Sequence, residues 1–476
     1  MIFSSNEFLF LYLPLSLALY FFTPRKRKNL TLLIVSLAFY GLERPTYLLI
    51  MASVIVTGYI FGLLIDRAEA PRKKRLVAFG VVINIAILAF FKYSDFLLTN
   101  LAKIPLLSFV KPLGIGLPIG ISFYVFQSTS YIIDVYRGGV KSQKKLVDFG
   151  AYISMFPQLI AGPIVRYSDI ATELDKRRHT LKKSAEGARR FVIGLAKKVL
   201  LADVAGKMWE DINSIPREET SVLLLWLGII CYTFQIYFDF SGYTDMAIGI
   251  GKVLGFDFPE NFDYPYTSKS ITEFWRRWHI TLSSWFREYV YIPLGGSRCG
   301  RARLIFNLLV VWLLTGLWHG ASWNFVLWGF YYFVLLTVEK LFLLKWLKRV
   351  PTILRHAYTL LFVIVGWLIF YFKSSVGGIG AFATYFSGML GGVGIPFANR
   401  ELLYTLVDNF VFIIILCVAS TPHLKNLLLK IESRIANKNT KTAFRSVLDA
   451  LIALTFVICI AYISSSEYRP NIYFEF

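Results

Sequence analysis

The chain has 476 residues, 56% of them hydrophobic, a mean hydropathy of +0.56 and a net charge of +21 from 51 basic and 30 acidic side chains. Soluble domains hold about 45–50% apolar residues in short runs; the runs here are far longer, which excludes a soluble enzyme, and they lack the period-2 alternation of a β-barrel. The basic residues cluster between the apolar runs, as membrane topology demands, so the charge does not call for nucleic acid as a partner.

In chain order the apolar runs are Phe8–Phe22, Tyr47–Ile65, Leu76–Phe91, Val222–Tyr237, Leu304–Trp318, Phe325–Leu336, Thr359–Phe372, Leu403–Val418 and Leu448–Ile463. A crossing needs roughly 20 apolar residues, fewer for short or re-entrant pieces, so the pattern predicts an all-α integral membrane protein of about 11 hydrophobic segments. No basic residue precedes Arg25 and no small-residue cleavage site is evident, so the first span is expected to be retained. Basic clusters at Arg25–Lys28, Arg67–Arg75, Arg137–Lys145, Arg166–Lys198, Arg276–Arg303, Lys340–Arg349 and Lys425–Arg445 should face the cytoplasm and its anionic lipids. Met1 and the C-terminal tail then emerge outside.

Residues 30–65 are expected to form a hairpin, and 76–94 with 113–136 a second pair. The stretch 147–165 carries basic flanks, Pro157 and the break Gln158–Pro163, which suits a re-entrant segment rather than a crossing. Residues 191–206 and 221–250 go out and back. The polar, aromatic and basic stretch 252–303 reads as interfacial or cavity-lining. Within it Ser270 and Glu273 have capping-box spacing, which predicts a helix start; on that helix Trp275, His279, Leu282 and Phe286 share one face. Segments at 304–340, 353–372, 403–421 and 446–463 complete the bundle. The whole is read as a single polytopic domain: N-terminal helices at 1–145, a core with both central histidines at 146–340, C-terminal helices at 341–463 and an aromatic tail at 464–476.

Polar groups at membrane depth are costly and mark function or specific pairing. His319, between Trp318 and Gly320, can accept a proton near neutral pH, and apolar surroundings favour its neutral form; a structural histidine bonded to a carbonyl is the equal alternative. His279 lies forty residues earlier, without local metal-ligand spacing; a group that orients substrate is preferred to a zinc ligand, and no metal is expected. Asp239 and Asp245 close an apolar run and need partners, for which Arg166, Arg276 and Arg277 are candidates. A structural ion pair is as good a reading as a substrate role. Gln127 and Gln158 are read as cavity lining or interhelical hydrogen bonds. Cys231, Cys299, Cys417 and Cys459 show no paired spacing, so neither a disulfide framework nor a cysteine zinc site is expected. The terminal Asn471–Phe476 is aromatic; it is either an interfacial anchor or a tail whose Tyr473 phenol accepts an acyl group.

Five segments together resemble the membrane-bound O-acyltransferase (MBOAT) family, within it the branch that O-acetylates bacterial alginate and peptidoglycan. They are Gly120–Gln127, Phe156–Pro163, Tyr237–Asp245, Phe274–Ser283 and Leu317–Gly320. The resemblance covers nearly the whole chain. It implies a ring of tilted helices with re-entrant segments around a central tunnel. It makes His319 the catalytic histidine, His279 the second histidine of the polysaccharide-modifying branch, and Tyr473 a transient acyl carrier; Asn471 stands where an aromatic residue is common.

The expected function is therefore acetyl transfer across a bacterial inner membrane. Acetyl-CoA is the donor substrate, with no permanently bound cofactor, and Arg276, Arg277 or Arg287 lie near its phosphates. A periplasmic SGNH-type partner would place the acetyl on an exported polysaccharide such as alginate, cellulose or peptidoglycan. The chain has no Gly-x-Ser-x-Gly elbow for that last step. The rivals are transfer of another acyl group, as in D-alanylation of teichoic acid, a proton-coupled glycan or lipid transporter, and a purely structural subunit.

Overall fold

The computed structural model describes residues 2–42, 44–392 and 394–465, except for the side chain of Arg217. Among these residues it is helical throughout, the one β-contact being an isolated bridge between Phe262 and Trp278. The chain divides into two compact units, one of residues up to 194 with 243–260, the other of 195–242 with 261 onward.

The first unit holds α1 (Phe8–Phe22), α2 (Lys28–Gly41), α3 (Tyr47–Arg67), α4 (Ala70–Leu101), α5 (Ile121–Arg137), α6 (Leu146–Ser154), α7 (Tyr167–Asp175) and most of α8 (Leu181–Ala196). Helix α5 packs on α3 and α4, and α6 packs on α2. Left-handed glycines bound α5 at both ends, Gly120 at φ 71° and Gly138 at φ 75°. Gly120 is also forced by space, since a Cβ there would sit 2.3 Å from the Leu159 carbonyl oxygen. That carbonyl belongs to the buried turn after α6. Nine residues make α6 about 14 Å long, too short to cross a bilayer, so the segment at 147–165 has the broken form expected of it.

The second unit begins with a π-helical turn at Lys197–Ala202 and α9 (Asp203–Ser214). It continues with most of α10 (Val222–Val253), then α11 (Ile271–Arg277), α12 (Ile280–Phe286), α13 (Arg301–His319), α14 (Trp323–Leu347) and α15 (Thr352–Tyr371). It ends with α16 (Gly378–Met389), α17 (Arg400–Asp408), α18 (Phe410–Ala419), α19 (His423–Arg434) and α20 (Lys438–Ser465).

Helices α3, α4, α10, α13, α14, α15 and α20 are long and apolar enough to cross a membrane, and α17 with α18, bent by 64°, would add an eighth span. The protein is thus a multi-pass membrane protein. Helices α2, at 14 residues, and α5, at 17, are shorter than a full crossing requires. In the apolar window of α10 72% of residues are buried, against 6% in α20, so α10 is an interior helix and α20 presents its leucines and valines to lipid.

Candidate active site

The second unit places both central histidines through a chain of local constraints. Ser270 caps α11, its hydroxyl accepting from the Glu273 amide at 3.0 Å, as the spacing predicted; such a cap is worth about 1 kcal/mol. The remaining amides of that first turn go to Glu339 of α14, a carboxylate with no exposed surface. Its Oε1 accepts from the Ile271 amide at 2.7 Å and from the Tyr358 hydroxyl at 3.2 Å. Its Oε2 accepts from the Thr272 amide at 2.8 Å and the Thr272 hydroxyl at 2.6 Å. A negative charge at a helix N-terminus also complements the helix dipole. Sequence reasoning missed Glu339; its signal was a lone carboxylate at the end of an apolar helical run.

The expected single helix through residues 270–286 is broken, so Trp275, His279, Leu282 and Phe286 do not share one helical face. Helix α11 stops at Arg277 and α12 starts at Ile280, with His279 between them in the left-handed region at φ 45°, ψ 54°. The cause is a short extended stretch that takes the backbone bonds a continuous helix would use. The Asp263 amide donates to the Arg277 carbonyl, and the Ile280 amide to the Asn261 carbonyl, both at 3.0 Å. Among the described residues the only non-glycine positions of positive φ are Tyr264 and His279, both in this hairpin. Conformations of this kind cost about 1–3 kcal/mol and gather at functional sites.

The strained turn aims the imidazole. Nδ1 of His279 lies 3.1 Å from Asn261 Oδ1, which also accepts from the Thr281 amide at 3.2 Å and hydroxyl at 2.9 Å. Two firm donors fix that oxygen as an acceptor, so Nδ1 carries the proton and Nε2 presents its lone pair. Nε2 is buried and without a hydrogen-bond partner. Burial pushes the imidazole down to about 3, so it is neutral at physiological pH.

His319 ends α13, and its approach to α14 depends on two glycines. A Cβ on Gly316 would lie 2.2 Å from the Phe325 carbonyl oxygen, and one on Gly329 would lie 2.4 Å from that of Trp312. The close crossing sets the His319 ring against Trp328 at 5.1 Å, Phe370 at 5.2 Å and Trp318 at 5.0 Å. The same Trp318 indole meets His279 at 5.7 Å, and Phe240 closes on His279 at 4.8 Å. Both imidazoles thus contact one indole, in a buried aromatic cluster that Trp275 extends through Trp312, Trp328 and Tyr332.

The other candidates do not all gather there. Asp239, one residue before Phe240, is buried against Lys198 at 3.0 Å, and Lys198 also holds Asp203 at 2.5 Å. Its ion pair is with this lysine, which the sequence reading did not name. Arg277 is committed to Asp263 at 2.9 Å and Glu273 at 3.1 Å, while Arg276 and Arg287 are exposed. Asp245 belongs to the first unit, where Arg190 holds it at 2.8 Å and bridges to Glu260. Gln127 and Gln158 are also in that unit and buried: the Gln158 side-chain amide donates to the Tyr152 main-chain carbonyl at 2.6 Å, whereas the Gln127 side-chain amide makes no hydrogen bond among the described residues and its main-chain carbonyl lies 3.5 Å from the Tyr152 hydroxyl. Tyr473 lies outside the described residues. Among the described residues no three His, Cys, Asp or Glu side chains gather as metal ligands would.

The family model of the membrane-bound O-acyltransferases matches residues 139–379, which include both histidines. The chain is 39% identical to the probable alginate O-acetylase AlgI of Pseudomonas putida over the full length of both proteins. It is 46% identical to the probable alginate O-acetylase AlgI of Azotobacter vinelandii over 78% of this chain and 75% of that one. It is 33% identical to the peptidoglycan O-acetyltransferase of Helicobacter pylori over all of this chain and 98% of that one.

Proposed function

We propose, from the premise that this chain belongs to the membrane-bound O-acyltransferase family, that it carries acetyl from cytoplasmic acetyl-CoA across a bacterial inner membrane for O-acetylation of an exported polysaccharide. The observation that carries the reading is the pair of buried imidazoles on the Trp318 indole, one of them with a fixed tautomer and an uncovered Nε2. That pair suits acyl transfer to a hydroxyl. His319 takes the hydroxyl proton as the oxygen attacks the thioester carbonyl. The tetrahedral adduct then expels the CoA sulfur, the C–S bond breaks, and the imidazolium returns the proton to the thiolate. General-base help of this kind is worth roughly 10²–10⁴-fold. The hydroxyl's single proton goes to His319; His279, too weak a base to take it, orients the acyl donor instead, its Nε2 accepting from an amide N–H of the pantetheine arm.

Arg276 and Arg287, being exposed, are free to meet the donor's phosphates; Arg277 is held by its two carboxylates and serves the hairpin instead. The acceptor is Tyr473 first, then a serine of a periplasmic SGNH-type partner that finishes transfer to the glycan. The relatives' names, alginate O-acetylase and peptidoglycan O-acetyltransferase, support acetyl as the group and polysaccharide as its destination. The positive-inside pattern supports a periplasmic N-terminus and tail.

The test is acetyl labelling of the purified protein with its native partner and radiolabelled acetyl-CoA. Wild type is expected to turn over, His319→Ala to lose turnover while remaining folded, and Tyr473→Phe to lose covalent label. No turnover by wild type with the partner present would overturn acetyl-CoA as donor and favour another acyl donor or transport.

A further inference from the structure

A cluster in the first unit, unused by the chemistry above, gathers two cationic side chains and an imidazole around one phenol. Tyr20, near the end of α1, is fully buried and donates its hydroxyl to the Leu254 carbonyl at 2.8 Å. Arg177, beyond α7, donates Nε to the same phenol oxygen at 2.6 Å, and His179 Nε2 lies 3.0 Å from it and 3.1 Å from the Leu254 carbonyl. Lys28, at the start of α2, is 8% exposed and places its ammonium 4.3 Å from the Tyr20 ring centre.

The charges are held in place without being neutralised. Lys28 Nζ donates to the Tyr20 carbonyl at 2.8 Å. The Arg177 guanidinium lies over the Phe256 ring at 4.7 Å and reaches the Glu173 main-chain carbonyl at 3.3 Å. Neither meets a carboxylate among the described contacts. Lys183 next to them differs, since it is answered by Asp257 at 2.7 Å. Gly255, at φ 94°, keeps the centre tight: a Cβ there would lie 3.2 Å from His179 Nε2 and 3.3 Å from Arg177 Cδ. Burial first, and the Lys28 charge second, push the His179 imidazole below its ordinary value, so it is a neutral hydrogen-bonding group beside the two cations. Like charges pressed together on rigid rings are a receptor for an anion.

The surroundings specify which anion. Phe21 and Phe22 beside the cluster are 44% and 90% exposed. Apolar rings that project next to ordered cations suit the headgroup level of a bilayer, where phosphate is the abundant anion, and a guanidinium fork matches its oxygens. We propose that Lys28, Arg177 and His179 form a binding site for a phosphate group, supplied by a phospholipid headgroup or by free phosphate.

The experiment uses the full-length protein in a phosphate-free maltoside detergent. Retained phosphatidylglycerol is counted by native mass spectrometry, and inorganic phosphate is titrated by calorimetry. Wild type is expected to bind one of the probes, and Arg177→Gln to bind it at least tenfold more weakly. Lys425→Gln, at an exposed lysine of α19, is expected to bind as wild type does. Lys28→Met is a second variant expected to weaken binding. Arg177 is only half-buried, so its replacement should leave the fold intact, and a circular-dichroism melt checks this. Retention of phosphatidylglycerol alone identifies the lipid as source; a response to phosphate alone identifies the soluble ion. Binding of neither probe by wild type, or equal binding by a folded Arg177→Gln protein, would overturn the proposal.

Discussion

His279 owes its chemistry to a backbone conformation that few histidines adopt. Its left-handed φ of 45° and the Asn261 carboxamide together decide which ring nitrogen is left without a partner. The residue was legible in the sequence as an imidazole out of place among aromatics. Its setting was not, because Asn261 lies 18 positions away and no local pattern links the two. Asp239 was likewise legible as needing a cation, and Lys198 was hidden for the same reason. The buried imidazole has a consequence for stability. An unfolded histidine takes up its proton near pH 6.5, whereas in the folded protein burial pushes this one down to about 3. Between those values the unfolded chain binds more protons, so stability is full above about pH 6.5 and falls as the pH drops toward 3. Thermal melts at stepped pH should show wild type losing midpoint steeply across this window and His279→Gln losing it less steeply. Parallel slopes would show that this imidazole does not carry the effect.

Helices inside a bilayer gain little from leaving lipid, so their contacts depend on close packing and small residues. The α13–α14 crossing is built on that rule, through Gly316 and Gly329, and it decides where His319 sits relative to Trp328. Gly316→Ala is expected to push the Phe325 backbone away, at about 1–3 kcal/mol for an overpacked contact. It should lower the melting temperature and cut turnover at least tenfold, although no catalytic side chain changes. A melt and an acetyl-transfer assay on the same preparation check both effects; normal turnover would show that the crossing does not set the site. At this scale the apolar runs and the Ser270 cap were plain in the sequence. The break of the 270–286 helix was not, since its periodicity continues through Trp278 and His279 while a distant strand-like segment takes the backbone bonds. Helix periodicity records side-chain faces, and a tertiary hydrogen bond can override it without altering the pattern.

Orientation in the membrane is a property of the whole chain, and the positive-inside rule assigns it from loops alone. In the first unit the structure supplies independent ties between those loops. Asp66 at the end of α3 accepts from Ser142 and Lys144, beyond α5, each at 2.7 Å. Asn29 at the start of α2 donates to Asp148 at 2.7 Å and to the Leu174 carbonyl at 2.9 Å. The basic clusters around Arg25–Lys28, Arg67–Arg75 and Arg137–Lys145 therefore share one side of that unit. Helix α4, at 32 residues, is long enough to carry Lys103 to the opposite side. The orientation proposed for acetyl-CoA entry requires the shared side to be cytoplasmic. Single cysteines at positions 74, 103 and 141, in a background with the four native cysteines replaced by serine, can be probed with a membrane-impermeant maleimide on bacterial spheroplasts. Lys103→Cys is expected to label in intact cells, and Lys74→Cys and Lys141→Cys only after permeabilisation. The reverse pattern would place the basic face outside, where no CoA donor is available, and would overturn the proposed direction of transfer. Labelling of all three in intact cells would mean that α4 does not cross, against its length and composition.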